Sequence, residues 1–153
     1  MVAGAGYNSR VIALDVPDLI LIDDNPADSE LATEALHDLG YGAMVGYAYD
    51  GEAAIRLLGE YIEDPLRPRP LLVLLDLNMP KLHGIEVLGF MAEHAALDDI
   101  PVVVFTSSDS PRDRQRSLAL GARDYLVKPG TYQGLVELMA QLKGRYLDVS
   151  ATP

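Results

Sequence analysis

The sequence contains no cysteine, which excludes a disulfide frame and any thiolate metal site. No apolar run approaches the ~18–20 residues of a membrane span; the longest, such as Leu71–Leu75, are strand-sized. Positive charge is scarce: 12 Lys and Arg stand against 23 Asp and Glu, for a net charge of −11. That balance opposes a nucleic-acid partner, whose affinity rests on cations that neutralise phosphates. Internal repeats and low-complexity tracts are absent. The opening MVAGAGYNSRVIALDV has one basic residue, Arg10, and an acid, Asp15, inside its apolar part. It does not fit a secretory leader. His37, His83 and His94 have no mutual metal spacing and read as solvated positions. A cytoplasmic protein without a membrane or nucleic-acid partner is the expectation.

What is present is ordinary globular chemistry, 49% apolar and 23% charged over 153 residues, which fits one domain. Short apolar runs at Asp18–Ile22, Ala43–Ala48, Leu71–Leu75, Pro101–Phe105 and Asp124–Val127 alternate with amphipathic stretches. Alternation of this kind predicts a parallel sheet covered by helices. Three runs are nearly continuous in Leu, Ile and Val, as strands buried on both faces are; AMVGYAY is mixed, as an edge strand is. The first helix places Leu31, Ala35, Leu36 and Leu39 on one face behind Asn25 and Pro26 as cap and first-turn residue. The others run over about Glu52–Ile62 (Ile55, Leu58 and Ile62 inward), Gly84–His94, Pro111–Leu120 and Leu135–Tyr146, with Gly40 and Gly121 where C-caps belong. Residues 15–147 form the domain, 1–14 an N-terminal arm and 148–153 a tail. EDPLRPRP, Glu63–Pro70, reads as an exposed stiff connection, equally a spacer or a partner contact.

The chemistry lies at the strand ends. Asp23 and Asp24 follow the first strand, Asp76 the third, Thr106 the fourth and Lys128 the fifth. Ligands of open parallel sheets bind outside the carboxyl ends of the strands, so these side chains share one crevice. A lone Asp there commonly caps a helix; the coincidence of all of them indicates a site. Two like charges about 4 Å apart interact by roughly 4 kcal/mol at an effective dielectric near 20, so the carboxylates need a cation or a shared proton. All-oxygen donors select a hard ion, Mg²⁺ before Mn²⁺ or Ca²⁺. The chain has only three lysines (Lys81, Lys128 and Lys143), and Lys128 is a compact charge able to hold a phosphoryl oxygen. Together they suit phosphoryl transfer onto the central carboxylate, Asp76.

At this point the sequence resembles the receiver domain of two-component response regulators over about residues 18–147. The resemblance rests on LIDDNPAD, LLDLNMP followed by Gly84, VVVFTSS and YLVKP, in that order. It implies a CheY-like, flavodoxin-like α/β fold with strand order 2-1-3-4-5 and helices on both faces. It also implies that Asp76 is phosphorylated by a histidine kinase or phosphotransfer protein, and that the chain assists this reaction and its reversal without being a classical enzyme. By the same resemblance Asp24 binds Mg²⁺ directly, Asp23 directly or through water, and the Asn78 carbonyl adds a ligand. Lys128 holds a phosphoryl oxygen, Thr106 moves its hydroxyl onto the phosphoryl group, and Tyr125 turns into the space vacated. The Lys128–Pro129 bond is expected to be cis.

His83 stands where many receivers carry an acid, and Gly130-Thr131 replaces a bulky apolar residue after Pro129. With the proline-rich insert, these features resemble the stand-alone receivers paired with bacterial phytochrome kinases. A receiver filling the chain signals by partner binding, onward phosphotransfer or a homodimer through the fourth helix, fifth strand and fifth helix. Arg112, Arg114 and Arg116 form a solvated face of that fourth helix, or meet a partner's acids. Three rival readings fit the sequence less well. A flavodoxin-like flavin or nucleotide binder needs a phosphate cradle where this chain has DDNP, which repels phosphate. An unphosphorylated receiver-like scaffold would not require all these site residues. A Mg²⁺-dependent phosphatase needs a substrate pocket that no sequence feature marks.

Overall fold

The computed structural model describes residues 17–42 and 44–148. The arm expected over residues 1–14 and the tail beyond Asp148 lie outside them. The elements, in chain order, are β1 (Leu19–Ile22), α1 (Pro26–Asp38), β2 (Val45–Ala48), α2 (Gly51–Glu63), β3 (Leu72–Leu75), α3 (Gly84–Glu93), β4 (Val102–Thr106), α4 (Pro111–Ala119), β5 (Asp124–Val127) and α5 (Tyr132–Leu142). A 3₁₀ turn at Ala95–Leu97 precedes β4, and α5 widens into a π-type turn over Lys143–Leu147. The five strands pair in parallel in the order β2-β1-β3-β4-β5, the order expected from the sequence.

Successive residues of a strand face opposite sides of the sheet, and β3 shows why its run is wholly apolar. Val73 and Leu75 join Ile20, Ile22, Val102 and Val104 beneath α2 and α3. Leu72 and Leu74 join Leu19, Leu21, Val103 and Phe105 beneath α1 and α5. The registers are regular: Ile22 lies opposite Leu75 and Ala48, and Leu75 opposite Val104. The strand ends are therefore level along one edge of the sheet, which places the residues following them side by side.

The helix starts are set by their caps. The Asn25 side chain accepts from the Ala27 N–H ahead of α1, with Pro26 in the first turn, and Asp50 accepts from Ala53 at 2.7 Å ahead of α2. Gly40 and Gly121 take φ of 82° and 106° just past α1 and α4, the left-handed region that favours glycine at a helix end.

Five expectations differ from the structure. Among the described residues there is no cis peptide bond, so Lys128–Pro129 is trans. Trans is the lower-energy isomer for X–Pro, and two residues past Pro129 the Thr131 hydroxyl caps α5 by accepting from the Gly134 N–H at 3.0 Å. The Glu63–Pro70 connection is exposed only in part. Arg67 and Arg69 lay their guanidinium groups 5.2 and 5.6 Å from the ring centre of the fully buried Tyr61, while Leu66 stands 92% exposed. The helix α2 buries Ala54, Leu58 and Tyr61, while Ile55 and Ile62 are half-buried, Ile62 packing against the edge of that core. His94 is half-buried too: Nδ1 lies 2.7 Å from the Phe90 carbonyl oxygen, and the two rings are 4.3 Å apart. Finally, α1 buries Ser29, Ala32, Ala35 and Leu36, so Leu31 is left 42% exposed.

Candidate phosphoryl and metal site

Asp23 directly follows β1, and its backbone N–H donates to the Ala48 carbonyl; its Oδ1 accepts from the Asn25 N–H at 2.9 Å. Asp76 directly follows β3, with its N–H bonded to the Ile22 carbonyl and its Oδ1 accepting from the Asn78 N–H at 3.2 Å. The backbone thus fixes both carboxylates at adjacent strand ends, where each is 6% exposed. Asp24 is exposed, yet one carboxylate oxygen from each of Asp23, Asp24 and Asp76 lies within 4.8 Å of the others. These are hard anionic oxygens without a nitrogen or sulfur donor, a set that fits Mg²⁺ or Mn²⁺ with positions left for water and a ligand oxygen.

Lys128 reaches into this cluster from the end of β5. Its Nζ donates to Asp23 Oδ2 at 2.7 Å, Asp28 Oδ2 at 2.8 Å and Asp76 Oδ2 at 3.3 Å. Its backbone N–H donates to the Thr106 carbonyl at 2.7 Å. Burial works against the ammonium charge, but the bonds to Asp23 and Asp28 and the charges of Asp23 and Asp76 outweigh it and hold the group above the ordinary lysine range. Asp23 is shifted upward chiefly by burial, with the Asp76 charge adding to it; Lys128 and the Asn25 N–H pull the other way.

Gly84 makes this packing feasible. A Cβ there would collide with the Asp76 carbonyl oxygen and lie 2.7 Å from Leu77 Cα, so only glycine lets α3 start against the loop that carries Asp76. His83, the departure from an acid, caps α3: Nδ1 accepts from the Ile85 N–H at 3.2 Å while Glu86 reaches back to the His83 N–H at 3.1 Å.

Thr106 is fully buried as the last residue of β4, one residue later than the expected strand end, and its Oγ1 lies 3.5 Å from the Ser108 N–H. Tyr125 departs from the expected sequence of events, because its ring is inside from the start. It is 3% exposed, its hydroxyl donates to the Ser108 carbonyl at 2.7 Å, and Arg114 covers it while donating to the Tyr125 carbonyl at 3.2 Å. These two bonds satisfy the polar groups of the inward position without any added charge.

The structure therefore brings together Asp23, Asp24, Asp76 and Lys128, with Asn78 beside Asp76 and Thr106 and Tyr125 under the neighbouring loop. Sequence reasoning missed Asp28. Its signal is its place in the first turn of α1, four residues after Asp24, a spacing that reaches back over the strand end once Asn25 fixes the helix start. A cleft of about 160 Å³ lies beside the site, lined by Leu31, Phe105 and Tyr132 among others, with Asp28 and Lys128 in its wall. No described helix is long and apolar enough to cross a membrane.

Comparison with known proteins agrees with this geometry. Residues 19–140 match the response regulator receiver domain family. The probable methanogenesis regulatory protein FilR2 of Methanothrix harundinacea is 34% identical over 135 residues, 88% of this chain and 86% of that protein. Response regulator Rcp1 of Synechocystis sp. is 34% identical over 135 residues, 88% of this chain and 92% of that one. The crystal structure of the Mn²⁺-bound form of response regulator Rcp1 superposes with a TM-score of 0.74 at 35% identity, over 87% of this chain and 96% of the other. The phosphorylated cyanobacterial phytochrome response regulator RcpA gives 0.73 at 32% identity, covering 84% of this chain and 92% of that one. With the strand order, the acidic cluster and the lysine at its centre in place, this chain belongs to the response regulator receiver domain family and resembles its phytochrome-linked members.

Proposed function

We propose that the domain spanning residues 15–147 is a phosphorylation switch whose acceptor is Asp76. The observation that carries this is the position of the Asp76 carboxylate, at the end of the central strand, 3.3 Å from Lys128 and clustered with Asp23 and Asp24. A phosphohistidine of a histidine kinase or phosphotransfer protein is the donor, and the kinship with RcpA suggests a bacterial phytochrome kinase. An Asp76 carboxylate oxygen attacks phosphorus, the P–N bond breaks, and the electron pair leaves with the imidazole, which takes up a proton. Asp23, Asp24, Asp76 and the Asn78 carbonyl would hold Mg²⁺, which supplies the positive charge that lets a phosphate dianion approach a carboxylate. Lys128 turns its ammonium from Asp76 to a phosphoryl oxygen, and the Thr106 hydroxyl donates to another. Because Tyr125 is already inside, the change falls on Thr106 and the loop through Ser108 rather than on the ring.

The altered surface comprises α4, β5 and α5, where Leu118 and Val127 are 40% and 44% exposed. This face is the one through which a homodimer or a protein partner would read the change, whereas a net charge of −11 does not suit nucleic acid.

The test is incubation with Mg²⁺ and acetyl phosphate, followed by intact-mass spectrometry. One acid-stable, base-labile phosphoryl adduct that is absent in Asp76→Asn is expected. No adduct would mean a scaffold, and phosphate release without an adduct would mean a phosphatase.

A further inference from the structure

Asp28 is unexplained by the roles above. It sits in the first turn of α1, where an acidic side chain is favoured by the helix dipole in any case. That ordinary reason does not account for where its oxygen goes. Oδ2 lies 2.8 Å from Lys128 Nζ, closer than the 3.3 Å from Lys128 to Asp76. Among the described residues, the carboxylates close enough to share one ion are Asp23, Asp24 and Asp76, without Asp28. Asp28 therefore directs its charge to the lysine and not to a cation. Its side chain is 34% exposed against 12% for Lys128, so it grips the ammonium from the solvent side, at the wall of the 160 Å³ cleft.

Resting on the reading of Asp76 as phosphoryl acceptor, we propose that Asp28 is a positioning residue that competes with Asp76 for the Lys128 ammonium, which bonds both, Asp28 at the shorter distance. Drawing the ammonium toward α1 has two opposite consequences. It leaves the carboxylates of Asp23, Asp24 and Asp76 less neutralised by lysine, so a divalent cation binds more tightly. It also engages the lysine that an anion on Asp76 requires, so a phosphoryl group binds less tightly. Asp28 thus sets the resting site toward metal and away from the phosphorylated state, and phosphorylation includes breaking the Asp28–Lys128 pair.

The test uses the full chain, Asp28→Asn, which keeps the shape and removes the charge, and Asp28→Ala, which removes both. Mg²⁺ affinity is measured by calorimetry, and beryllofluoride affinity is then measured at saturating Mg²⁺. Both variants are expected to bind Mg²⁺ about three- to tenfold more weakly and beryllofluoride more tightly by a similar factor, the scale of one part-exposed ion pair. Damage to the fold would weaken both, so a change in the same direction, or no change, overturns the proposal. A cycle with Lys128→Met isolates the route: the effect of Asp28→Asn on Mg²⁺ should largely vanish without the lysine, and its persistence would show a simple field effect and overturn the positioning role. Failure of the wild type to take up beryllofluoride, or uptake unaffected by Asp76→Asn, would remove the acceptor reading and this inference with it. Normal uptake with unchanged Asp28 variants would remove this inference alone.

Discussion

At the scale of single residues, Lys128 is the side chain on which the resting site depends. It faces Asp23, Asp28 and Asp76 from a position only 12% exposed, and removing one partner of a buried charge cluster leaves the others uncompensated. Lys128→Met is expected to lower stability without metal by about 2–4 kcal/mol, and Mg²⁺ should restore more stability to the variant than to the wild type. Urea unfolding with and without Mg²⁺ checks this, and equal Mg²⁺ stabilisation of both proteins would contradict it. Tyr132 offers a pH test away from the site. Its hydroxyl donates to Asp38 at 2.6 Å, and that bond raises the phenol to about 12. A phenol held protonated by the fold contributes stability below its unfolded value near 10, and loses it as pH rises through 12. The Tm difference between the wild type and Tyr132→Phe should therefore be present at pH 8 and shrink between pH 10 and 12; a constant difference would contradict the assignment.

At the scale of elements, legibility followed periodicity. The strands could be read to within one or two residues, because a run such as LLVLL has no reason to be apolar at every position unless helices cover both faces. The level strand ends then placed Asp23, Asp76 and Lys128 correctly by order alone. What lay hidden depends on direction rather than order. Asp28 reaches back from a helix turn, the Tyr125 ring points inward under Arg114, and the Lys128–Pro129 bond takes the ordinary trans form. Apolar spacing named Leu31 and Ile62 as core residues, yet the positions buried in full are the neighbouring Ala32 and Tyr61, with Leu31 exposed and Ile62 packed only at the core's edge. Gly84 links the elements to the site. Gly84→Ala should cost more than about 2 kcal/mol, the scale of a backbone collision that cannot relax, and should weaken Mg²⁺ binding by displacing the Asp76 loop. Thermal melts and calorimetry read both, and a stable variant with normal Mg²⁺ affinity would contradict the close packing.

At the scale of the whole molecule, the charge-bearing residues of the site gather at one edge of the sheet, and the exposed apolar residues of α4 and β5 lie on its flank. If the switch signals through that flank, Val127→Glu should abolish any beryllofluoride-induced rise in mass on size exclusion with light scattering, while leaving beryllofluoride uptake intact. A dimer that survives the substitution would move the interface elsewhere. The fold alone does not decide between a switch and a silent scaffold, since both need the same core. The decision rests on one oxygen atom. Borohydride reduces an acyl phosphate to an alcohol, so a protein treated with acetyl phosphate and Mg²⁺, then reduced and digested, records its acceptor as homoserine in place of aspartate. The account predicts homoserine at position 76 alone, and its dependence on Mg²⁺; homoserine at another aspartate, or at none, would contradict it.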